Sequence, residues 1–329
     1  MSEPTLSLQH EILDAHLDYS CELQAVGMTG KILVVGSLNM DLVVTVPRLP
    51  QISETIIGGK FATFPGGKGA NQAVAASRMG ATVSMIGAVG NDDYGQTLCQ
   101  AAAQDGIDTN HIEIDPKAAT GIALITVDAD GRNTIVVASG ANLELTTNHI
   151  QAAQHAFSAT DVLVTQLESP LDAVKEAVSL AGKSGIHVVL NPAPARPLNA
   201  ELLSKVEFFV PNERETMQVA GVDSLESAIQ KLLDIGLRNL IITLGEQGTL
   251  LVTPEGREHF PAHRVQAIDT VAAGDAFVGA FSTGIAEGMR VEDAIRLGNA
   301  AAAIAVTRRG AQPSLPTRED VNDFLRGQR

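Results

Sequence analysis

The sequence is poor in aromatic residues, in cysteine and in positive charge. Phe, Tyr and Trp together make up 3% of the chain, and Trp is absent. The core must therefore be aliphatic and rich in alanine and glycine, as close packing of helices on a sheet allows. The two cysteines, Cys21 and Cys99, exclude a disulfide framework, and no CxxC or Cys/His spacing of a metal site occurs.

Several catalytic fingerprints are missing as well. No GxGxxG pattern follows a strand-like run, so a dinucleotide site has no support, and the GxSxG elbow of a hydrolase is absent. His259 and His263 have the spacing of a helical metal pair, but Pro261 lies between them. The other histidines are scattered, so we expect no histidine-based site.

The charge balance argues against polyanionic partners. The 38 acidic and 23 basic side chains give a formal charge of −15, which disfavours nucleic acid or an anionic membrane as the main partner. No apolar run approaches the roughly 18 residues that a membrane helix needs. The first residues lack the basic start and apolar stretch of a signal peptide. We therefore expect a soluble, cytoplasmic protein.

The chain divides into an extension and one large α/β unit. Residues 1–30 contain five acidic residues and no Lys or Arg, and we expect a poorly ordered N-terminal extension, with a docking helix as the alternative. The sequence assigns no role to residues 1–27. From residue 31 to residue 325, strand-like and helix-like stretches alternate without a linker. This rhythm predicts a doubly wound, mainly parallel sheet flanked by helices.

Four alternating stretches predict a second, smaller sheet. They are residues 42–46, 54–57, 122–127 and 134–137, and the last two flank a hairpin turn at residues 128–131. We expect a small antiparallel lid, with strands from about 42–60 and 120–138. A sheet at a ligand-facing edge can close over a ligand, and its outer face could pair with another copy.

Two kinds of polar feature predict a ligand site at one end of the main sheet. The glycine-rich segment, residues 66–72, has three glycines in four residues, so a ligand can approach the backbone, and Lys68 and Asn71 can donate to hydroxyls or phosphate. It is not a P-loop, because no Ser or Thr follows the Gly-Lys. Glu168, Asn212 and Glu215 follow predicted strands. Asn212 and Glu215 also suit a capping box, but their position at one sheet end favours a ligand site.

Residues 269–277 predict an anion site. The small residues Ala272–Ala273–Gly274 leave N–H groups uncovered at the start of an apolar helix, where the helix dipole favours phosphate. Asp275 in the first turn then suits a proton acceptor beside the phosphate, the alternative being an ordinary carboxylate at a helix N-terminus. Residues 307–314 could offer carbonyls to a cation near Asp269, or simply end a helix.

The glycine-rich segment and residues 269–275 resemble the two signatures of the ribokinase (PfkB) family of carbohydrate kinases. The resemblance runs from about Lys31 to Phe324 and implies a ribokinase-like kinase domain at 31–325. Residues 36–41, 66–72 and 305–314 are most similar to family members that act on ribose. The implied reaction is ATP-dependent phosphorylation of D-ribose at O5. The alternative acceptors are another sugar, such as 2-deoxyribose or fructose, and a nucleoside.

The resemblance also implies roles for individual residues. It makes Asp275 the base, and Ala272, Ala273 and Gly274 the anion hole. It implies contacts with the sugar from Asn39, Met40, Asp41, Gly67, Lys68, Gly69, Ala70, Asn71, Glu168 and Asp275. It implies contacts with ATP from Asn212, Thr243, Leu244, Gly245, Glu246, Gln247, Gly248, Gly274, Asp275 and Asn299. It implies Mg²⁺ linked through water to Asn212 and Glu215, and K⁺ at Asp269, Val271, Ala305, Arg308, Gly310 and Ser314.

Assembly and one departure complete the expectations. Members of this kind usually form homodimers through the lid sheet, which we therefore expect here. The family signature usually has Thr or Gly-type residues where Val271 and Ala272 stand. If position 271 contributes only its carbonyl, valine preserves the contact with K⁺. A required hydroxyl would remove that contact.

Overall fold

The computed structural model describes residues 29–327. The predicted N-terminal extension lies outside these residues, except for Thr29 and Gly30. Gly30 leads directly into the first strand, and its carbonyl accepts the N–H of Thr82 at 2.9 Å.

Thirteen strands and eleven α-helices are present between residues 29 and 327. The strands are β1 (Lys31–Val35), β2 (Asn39–Thr45), β3 (Phe61–Gly66), β4 (Thr82–Gly90), β5 (Asp108–Asp115), β6 (Gly121–Val127), β7 (Asn133–Ala138), β8 (Val162–Thr165), β9 (His187–Leu190), β10 (Phe208–Phe209), β11 (Asn239–Thr243), β12 (Thr249–Thr253) and β13 (Gly256–Phe260). The helices are α1 (Lys68–Arg78), α2 (Asp93–Gln104), α3 (Thr147–Ala152), α4 (Gln154–Phe157), α5 (Leu171–Ser184), α6 (Ala200–Leu203), α7 (Glu213–Ala220), α8 (Leu225–Asp234), α9 (Ala273–Ala286), α10 (Val291–Ala305) and α11 (Arg318–Gly327). In this part of the chain, none of the helices has the length and apolar character needed to cross a bilayer.

Nine strands form the main sheet, in the order β13-β12-β11-β10-β9-β8-β1-β4-β5. The strands from β11 to β5 run parallel, and β12 and β13 continue the sheet antiparallel. The predicted doubly wound, mainly parallel sheet is therefore confirmed. The sequence analysis did not foresee β5 and β13, the two edge strands.

Both faces of the main sheet are buried, as the apolar runs of the parallel strands require. In β1, Ile32 and Val34 face a core that contains Phe277 and Phe281 of α9, together with residues of α1 and α10. Leu33 and the other alternate positions face a second core, built from α5 and α8. Because successive side chains of a strand point to opposite faces, the apolar residues of β1 contribute alternately to the two cores, one on each side of the sheet.

The smaller sheet has four strands, in the order β3-β2-β6-β7. The predicted hairpin joins β6 and β7, which pair antiparallel. However, β2 and β6 pair parallel, so the lid is a mixed sheet and its description as antiparallel was wrong. The reason is the long connection between β2 and β6, which returns the chain to the same end of the sheet before β6 begins.

The strand predicted at residues 54–57 is also wrong. This stretch has no regular secondary structure, and β3 begins only at Phe61. Ser53 has a left-handed backbone with φ of 65°, and Ile52 and Ile57 are 99% and 93% exposed. Apolar alternation stabilises a strand only where one face is buried, which is not the case here.

Helices α1 and α9 lie unusually close together. A Cβ atom placed on Gly279 of α9 would lie 2.4 Å from the Cβ of Ala75 and 2.8 Å from the nitrogen of Ala76. The two backbones can therefore meet only because Gly279 has no side chain. This contact fixes the position of the glycine-rich segment relative to residues 269–275, since these stretches begin the two helices.

Gly279→Ala tests this close approach. The added methyl group would force α1 and α9 apart, and we expect a loss of about 1–3 kcal/mol in the free energy of unfolding, measured by urea denaturation. Gly182→Ala in α5 is the matched control, because its Cβ would have no neighbour within 4 Å. The control should gain up to about 1 kcal/mol from the higher helix propensity of alanine. A similar gain for Gly279→Ala would contradict tight packing.

Candidate active site

The candidate site lies at the carboxyl ends of the parallel strands. From the central strand β1 the chain proceeds to β4 and β5 on one side and later to β8 and β9 on the other, so β1 and β8 flank the switch point where such sheets bind ligands. Ser37 follows β1 and Glu168 follows β8. The hydroxyl of Ser37 donates to Oε2 of Glu168 at 2.5 Å, which joins the two strand ends.

The glycine-rich segment packs against this switch point. Gly67 has φ of 88°, and a Cβ on it would lie 2.7 Å from the nitrogen of Asn39. A Cβ on Gly69 would lie 2.5 Å from the nitrogen of Ser37. The backbone N–H of Lys68 donates to Oε2 of Glu168 at 3.1 Å. The glycines therefore bring the start of α1 against the ends of both β1 and β8.

Strand β2 brings two polar side chains to the same place. Oδ1 of Asn39 accepts a hydrogen bond from Nδ2 of Asn142 at 2.8 Å, which leaves the amide nitrogen of Asn39 as a donor for a ligand. The carboxylate of Asp41 lies against Gly66, where a Cβ would approach it to 2.4 Å. The side chain of Met40 points away and is buried in the first core, so only its main chain is available to a ligand.

Four carboxylates act electrostatically on one ammonium group, that of Lys68, in this site. Burial, together with the charges of Glu168 and Asp275, raises the pKa of Asp41 from 3.8 to about 7, although Lys68 acts in the opposite direction. Burial lowers the pKa of Lys68, but the carboxylates of Asp275, Glu168, Glu215 and Asp41 outweigh it and raise the pKa above its usual value. Lys68 therefore remains charged and is the local positive charge of an acidic protein.

Asp275 lies in the first turn of α9 and is 6% exposed. Its Oδ2 accepts a hydrogen bond from Nδ2 of Asn71 at 2.9 Å, and its Oδ1 accepts one from Nε2 of Gln72 at 2.9 Å. Oδ1 of Asn71 is buried and has no partner. The site therefore presents a carboxylate and an unused amide oxygen, both acceptors suited to hydroxyl groups.

The start of α9 has the geometry of an anion site. Ala272 precedes the helix with φ of 59° and ψ of 9°, a left-handed backbone that is uncommon for alanine. The first N–H groups of a helix have no intrahelical acceptor. The N–H of Ala273 donates to the carbonyl of Thr270 in a long bond of 3.4 Å. A Cβ on Gly274 would have nothing within 4 Å, so open space adjoins the start of the helix. A phosphate could bind here beside Asp275.

The residues expected to bind a nucleotide lie further along the same edge of the sheet. Asn212 and Glu215 form a capping box at the start of α7, in which each side chain accepts the other's N–H, at 2.8 and 2.9 Å. Residues 243–248 form the turn after β11, closed by a hydrogen bond from Leu244 N–H to the carbonyl of Gly248 at 2.7 Å. Asn299 is buried in α10, and its Oδ1 accepts from the hydroxyl of Thr249 at 2.7 Å.

Asp269 joins the two segments expected to hold K⁺. Its Oδ1 accepts the N–H of Val271 and its Oδ2 accepts the N–H of Gly310, both at 3.0 Å. The side chain of Arg308 pairs with Asp320 at 3.2 Å. Among the residues that the structure describes, no cluster of three or more His, Cys, Asp or Glu forms a metal centre. A cation here would therefore depend mainly on carbonyl oxygens, with Asp269 as the nearby negative charge.

The remaining residues predicted to hold the cation are placed as follows. Ala305 is the last residue of α10 and is fully buried. Ser314 is also buried, and its hydroxyl donates to the carbonyl of Ala311 at 2.7 Å. Both lie in the stretch of chain that flanks Gly310.

Five polar residues of the site were missed from the sequence. They are Ser37, Gln72, Asn142, Gln166 and Asn191. Ser37, Gln166 and Asn191 follow the ends of β1, β8 and β9, which is the signal that identified Glu168. Gln72 lies inside the glycine-rich segment itself. Asn142 had no signal, because its partners Leu38 and Asn39 lie 104 and 103 residues away.

Comparisons with known proteins show extensive similarity to carbohydrate kinases. Residues 29–318 match the pfkB family of carbohydrate kinases. The chain is 43% identical over 304 residues to a ribokinase from Haemophilus influenzae, covering 91% of this chain and 99% of that protein. It is 38% identical over 300 residues to a deoxyribokinase from Salmonella typhimurium, covering 89% and 98%. The solved structure of Arabidopsis thaliana ribokinase with ribose and ATP has a TM-score of 0.83 at 28% identity, covering 91% and 99%.

The raised pKa of Asp41 makes the stability of the ligand-free protein depend on pH. Below about pH 7 the folded protein keeps a proton on Asp41 that the unfolded chain releases above about pH 4. Rising pH therefore favours unfolding in this window, by about 1.4 kcal/mol per pH unit. We expect the stability of Asp41→Asn relative to the parent protein to increase from pH 5 to pH 7 and then to level off. Urea denaturation at each pH measures the difference.

Asp92→Asn is the matched control for this experiment. Burial raises the pKa of Asp92, but hydrogen bonds from Thr120 and Gly95 outweigh it and lower the pKa. Asp92 is therefore ionised in both the folded and the unfolded state above pH 5. Its replacement should change stability by the same amount from pH 5 to pH 8. An equally flat profile for Asp41→Asn would contradict the raised pKa.

Proposed function

The chain belongs to the pfkB family of carbohydrate kinases, and we propose that it transfers the γ-phosphoryl group of ATP to O5 of D-ribose, giving D-ribose 5-phosphate. The observation that carries this proposal is the position of Asp275. It is a buried carboxylate at the start of α9, and it accepts a hydrogen bond from Asn71 of the glycine-rich segment. The 43% identity to a ribokinase over 91% of the chain supports ribose as the acceptor.

The sugar is held by a mixed set of acceptors and donors. Asp41 and Glu168 offer carboxylate oxygens to hydroxyl groups, and the free Oδ1 of Asn71 offers another acceptor. Lys68 and the amide nitrogen of Asn39 donate. A polyol both donates and accepts at each hydroxyl, so this mixture suits a pentose better than an apolar ligand. The backbone of residues 66–70, free of bulky side chains, lets the sugar lie close to α1.

Asp275 acts as the base, and residues 272–274 form the anion hole. As O5 attacks the γ-phosphorus, its proton passes to Asp275 and the O5–P bond forms. The bond to the oxygen of the β-phosphate breaks, and ADP leaves. The N–H groups at the start of α9 stabilise the charge of the transferred group. Closure of the lid sheet over the sugar excludes water, which would otherwise accept the phosphoryl group.

We propose that the nucleotide lies along residues 243–248, with Asn299 and Gly274 beside it. The Arabidopsis relative was solved with ribose and ATP, which supports ATP as the donor. Asn212 and Glu215 keep spare lone pairs beyond their capping box, so they can hold water around Mg²⁺. When bound, Mg²⁺ neutralises phosphate charge. K⁺ would be held by Asp269 and the carbonyls of Val271, Ala305, Arg308 and Gly310, with Ser314 nearby, and would add positive charge beside the anion hole.

A second candidate substrate is 2-deoxyribose. The chain is 38% identical to a deoxyribokinase over 89% of its length, close to its similarity to several ribokinases. Fructose remains a further sugar to test. A nucleoside is disfavoured, because aromatic residues make up 3% of the chain and a base usually stacks on aromatic or apolar partners.

We further propose that two copies associate through the lid sheet. The face opposite Asp41 carries Phe61, Leu124 and Val136, which are between 50% and 64% exposed. A second copy of the same face would cover these side chains, as a symmetric dimer requires. A cytoplasmic location remains the prediction made from the sequence.

Asp275→Asn tests the base. An amide cannot accept the proton of O5, so we expect kcat to fall by about 10²–10⁴-fold or more, in an assay that couples ADP release to NADH oxidation. Ribose binding, measured by calorimetry, should persist, since the amide keeps an oxygen acceptor. Glu292→Gln is the matched control, an acidic residue in the first turn of α10, and it should keep normal activity. Near-normal turnover of Asp275→Asn would mean that Asp275 is only a helix cap.

A comparison of D-ribose, 2-deoxyribose and D-fructose tests the substrate, with K⁺ and with Na⁺ at equal ionic strength. We expect kcat/KM to be at least about tenfold higher for ribose than for 2-deoxyribose, because a missing hydroxyl leaves a buried polar group unpaired. We expect K⁺ to raise activity above the level with Na⁺. Equal efficiency on the two pentoses would defeat the ribose assignment, and equal rates with both ions would remove the K⁺ site.

A further inference from the structure

We propose that Gln72, oriented by Gln166 and Asn191, is a positioning residue that holds the carboxylate of Asp275 for proton transfer. The inference rests on the proposed function, in which Asp275 is the base. It adds three residues to which the proposed function assigns no contact with the sugar or the nucleotide. The structure links them to Asp275 in one chain of side-chain amides.

The chain of contacts begins at the carboxylate. Nε2 of Gln72 donates to Oδ1 of Asp275 at 2.9 Å and to Oδ1 of Asn191 at 3.1 Å. Oε1 of Gln72 accepts from Nε2 of Gln166 at 2.6 Å. Nδ2 of Asn191 donates to the main-chain carbonyl of Val210 at 2.8 Å. Elements from four parts of the chain, α1, α9 and the ends of β8 and β9, therefore meet at Gln72.

These partners fix which way each amide points. The carbonyl of Val210 can only accept, so Asn191 must present its nitrogen to Val210 and its oxygen to Gln72. Gln72 must then direct its nitrogen toward Asn191, which is also toward Asp275. In this orientation Oε1 of Gln72 faces Gln166 and accepts from its Nε2. A reversed Gln72 amide would place its oxygen against the carboxylate, so the network excludes it.

Burying these amides costs free energy, so their presence is not explained by stability alone. Gln72 and Gln166 are each 1% exposed, and buried amides are costly unless every polar atom is paired. Here Oε1 of Gln166 has no partner. It lies against Gly36, where a Cβ would approach it to 2.1 Å. Apolar side chains would fill this layer between α1 and the sheet without an orphaned acceptor. Retaining the amides is explained if they act on Asp275.

The action on Asp275 is geometric. Asn71 and Gln72 are consecutive residues of α1, and each donates to a different oxygen of the carboxylate. Two donors on two oxygens fix the plane of the carboxylate relative to the glycine-rich segment, which holds the sugar in the proposed function. A base that rotates freely would meet O5 in the right geometry for only part of the time, and this lowers kcat more than binding.

Gln72→Met tests the proposal, because methionine has a similar length and cannot donate. We expect kcat to fall by about 10–100-fold while KM for ribose changes by less than about threefold. Thr283→Val is the matched control. Its hydroxyl is buried between the same two helices and bonds to the carbonyls of Gly279 and Ala76. It should lower the melting temperature and leave the ratio of kcat to KM near normal. The same behaviour from Gln72→Met would reduce Gln72 to a packing residue.

Gln72→Glu provides a readout that packing alone would not change. A second carboxylate would stand where Nε2 now contacts Oδ1 of Asp275, and two such groups share a proton. We expect the acidic limb of the kcat–pH profile to move up by one pH unit or more, with partial recovery of activity at high pH. An unshifted profile in a folded variant would overturn the proposal.

A double-mutant cycle tests the role of Gln166. If Gln166 acts only through Gln72, Gln166→Met should lower kcat alone but have little further effect in the Gln72→Met background. Additive losses would contradict a single chain. Failure of this inference is separable from failure of the proposed function. Normal activity of Asp275→Asn would defeat both. An inactive Asp275→Asn beside a normal Gln72→Met would defeat the positioning role alone.

Discussion

The structure depends most on the contact between the starts of α1 and α9. Residues about 200 positions apart in the chain are joined there by two hydrogen bonds from Asn71 and Gln72 to Asp275. The contact is possible because Gly279 lets the helix backbones approach, and because both helices pack on the same face of the main sheet. The glycine-rich segment and Asp275 are therefore held together directly by side-chain hydrogen bonds.

The electrostatics follow from this arrangement. Packing places Asp41, Glu168 and Asp275 near Lys68. Burial and the negative charges of Glu168 and Asp275 raise the pKa of Asp41. A ligand-free site that gathers three carboxylates is costly, and the cost falls when hydroxyl donors arrive or when Asp41 binds a proton. In the proposed function, these carboxylates are the physical basis for preferring a polyol. In an acidic chain with charge −15, Lys68 and the start of α9 are local sources of positive potential.

The sequence predicted the parts of the fold that repeat a local pattern. The parallel core, the β6–β7 hairpin and helices α2, α5 and α10 follow from periodicity and turn residues, and the glycine-rich segment follows from composition. Periodicity did not reveal that residues 54–57 lack a buried face, or that β2 and β6 run parallel, because both depend on distant partners. The same limit applies in the site. Ser37, Gln166 and Asn191 follow the ends of strands, as Glu168 does, and could have been predicted in the same way. Asn142 could not, because its hydrogen-bond partners Leu38 and Asn39 lie about 100 residues away in the chain.

Ala272 shows how the fold tolerates a residue that local preference disfavours. Its φ of 59° costs alanine about 1–2 kcal/mol relative to an ordinary backbone, at a position where the resembling signature usually has Thr or Gly-type residues. The strain persists because every residue from Asp275 to Ile285 is buried, so the start of α9 cannot shift to relieve it. The left-handed residue leads directly into the first turn of α9, where a Cβ on Gly274 would have nothing within 4 Å. The packing of α9 therefore offsets the backbone strain at Ala272.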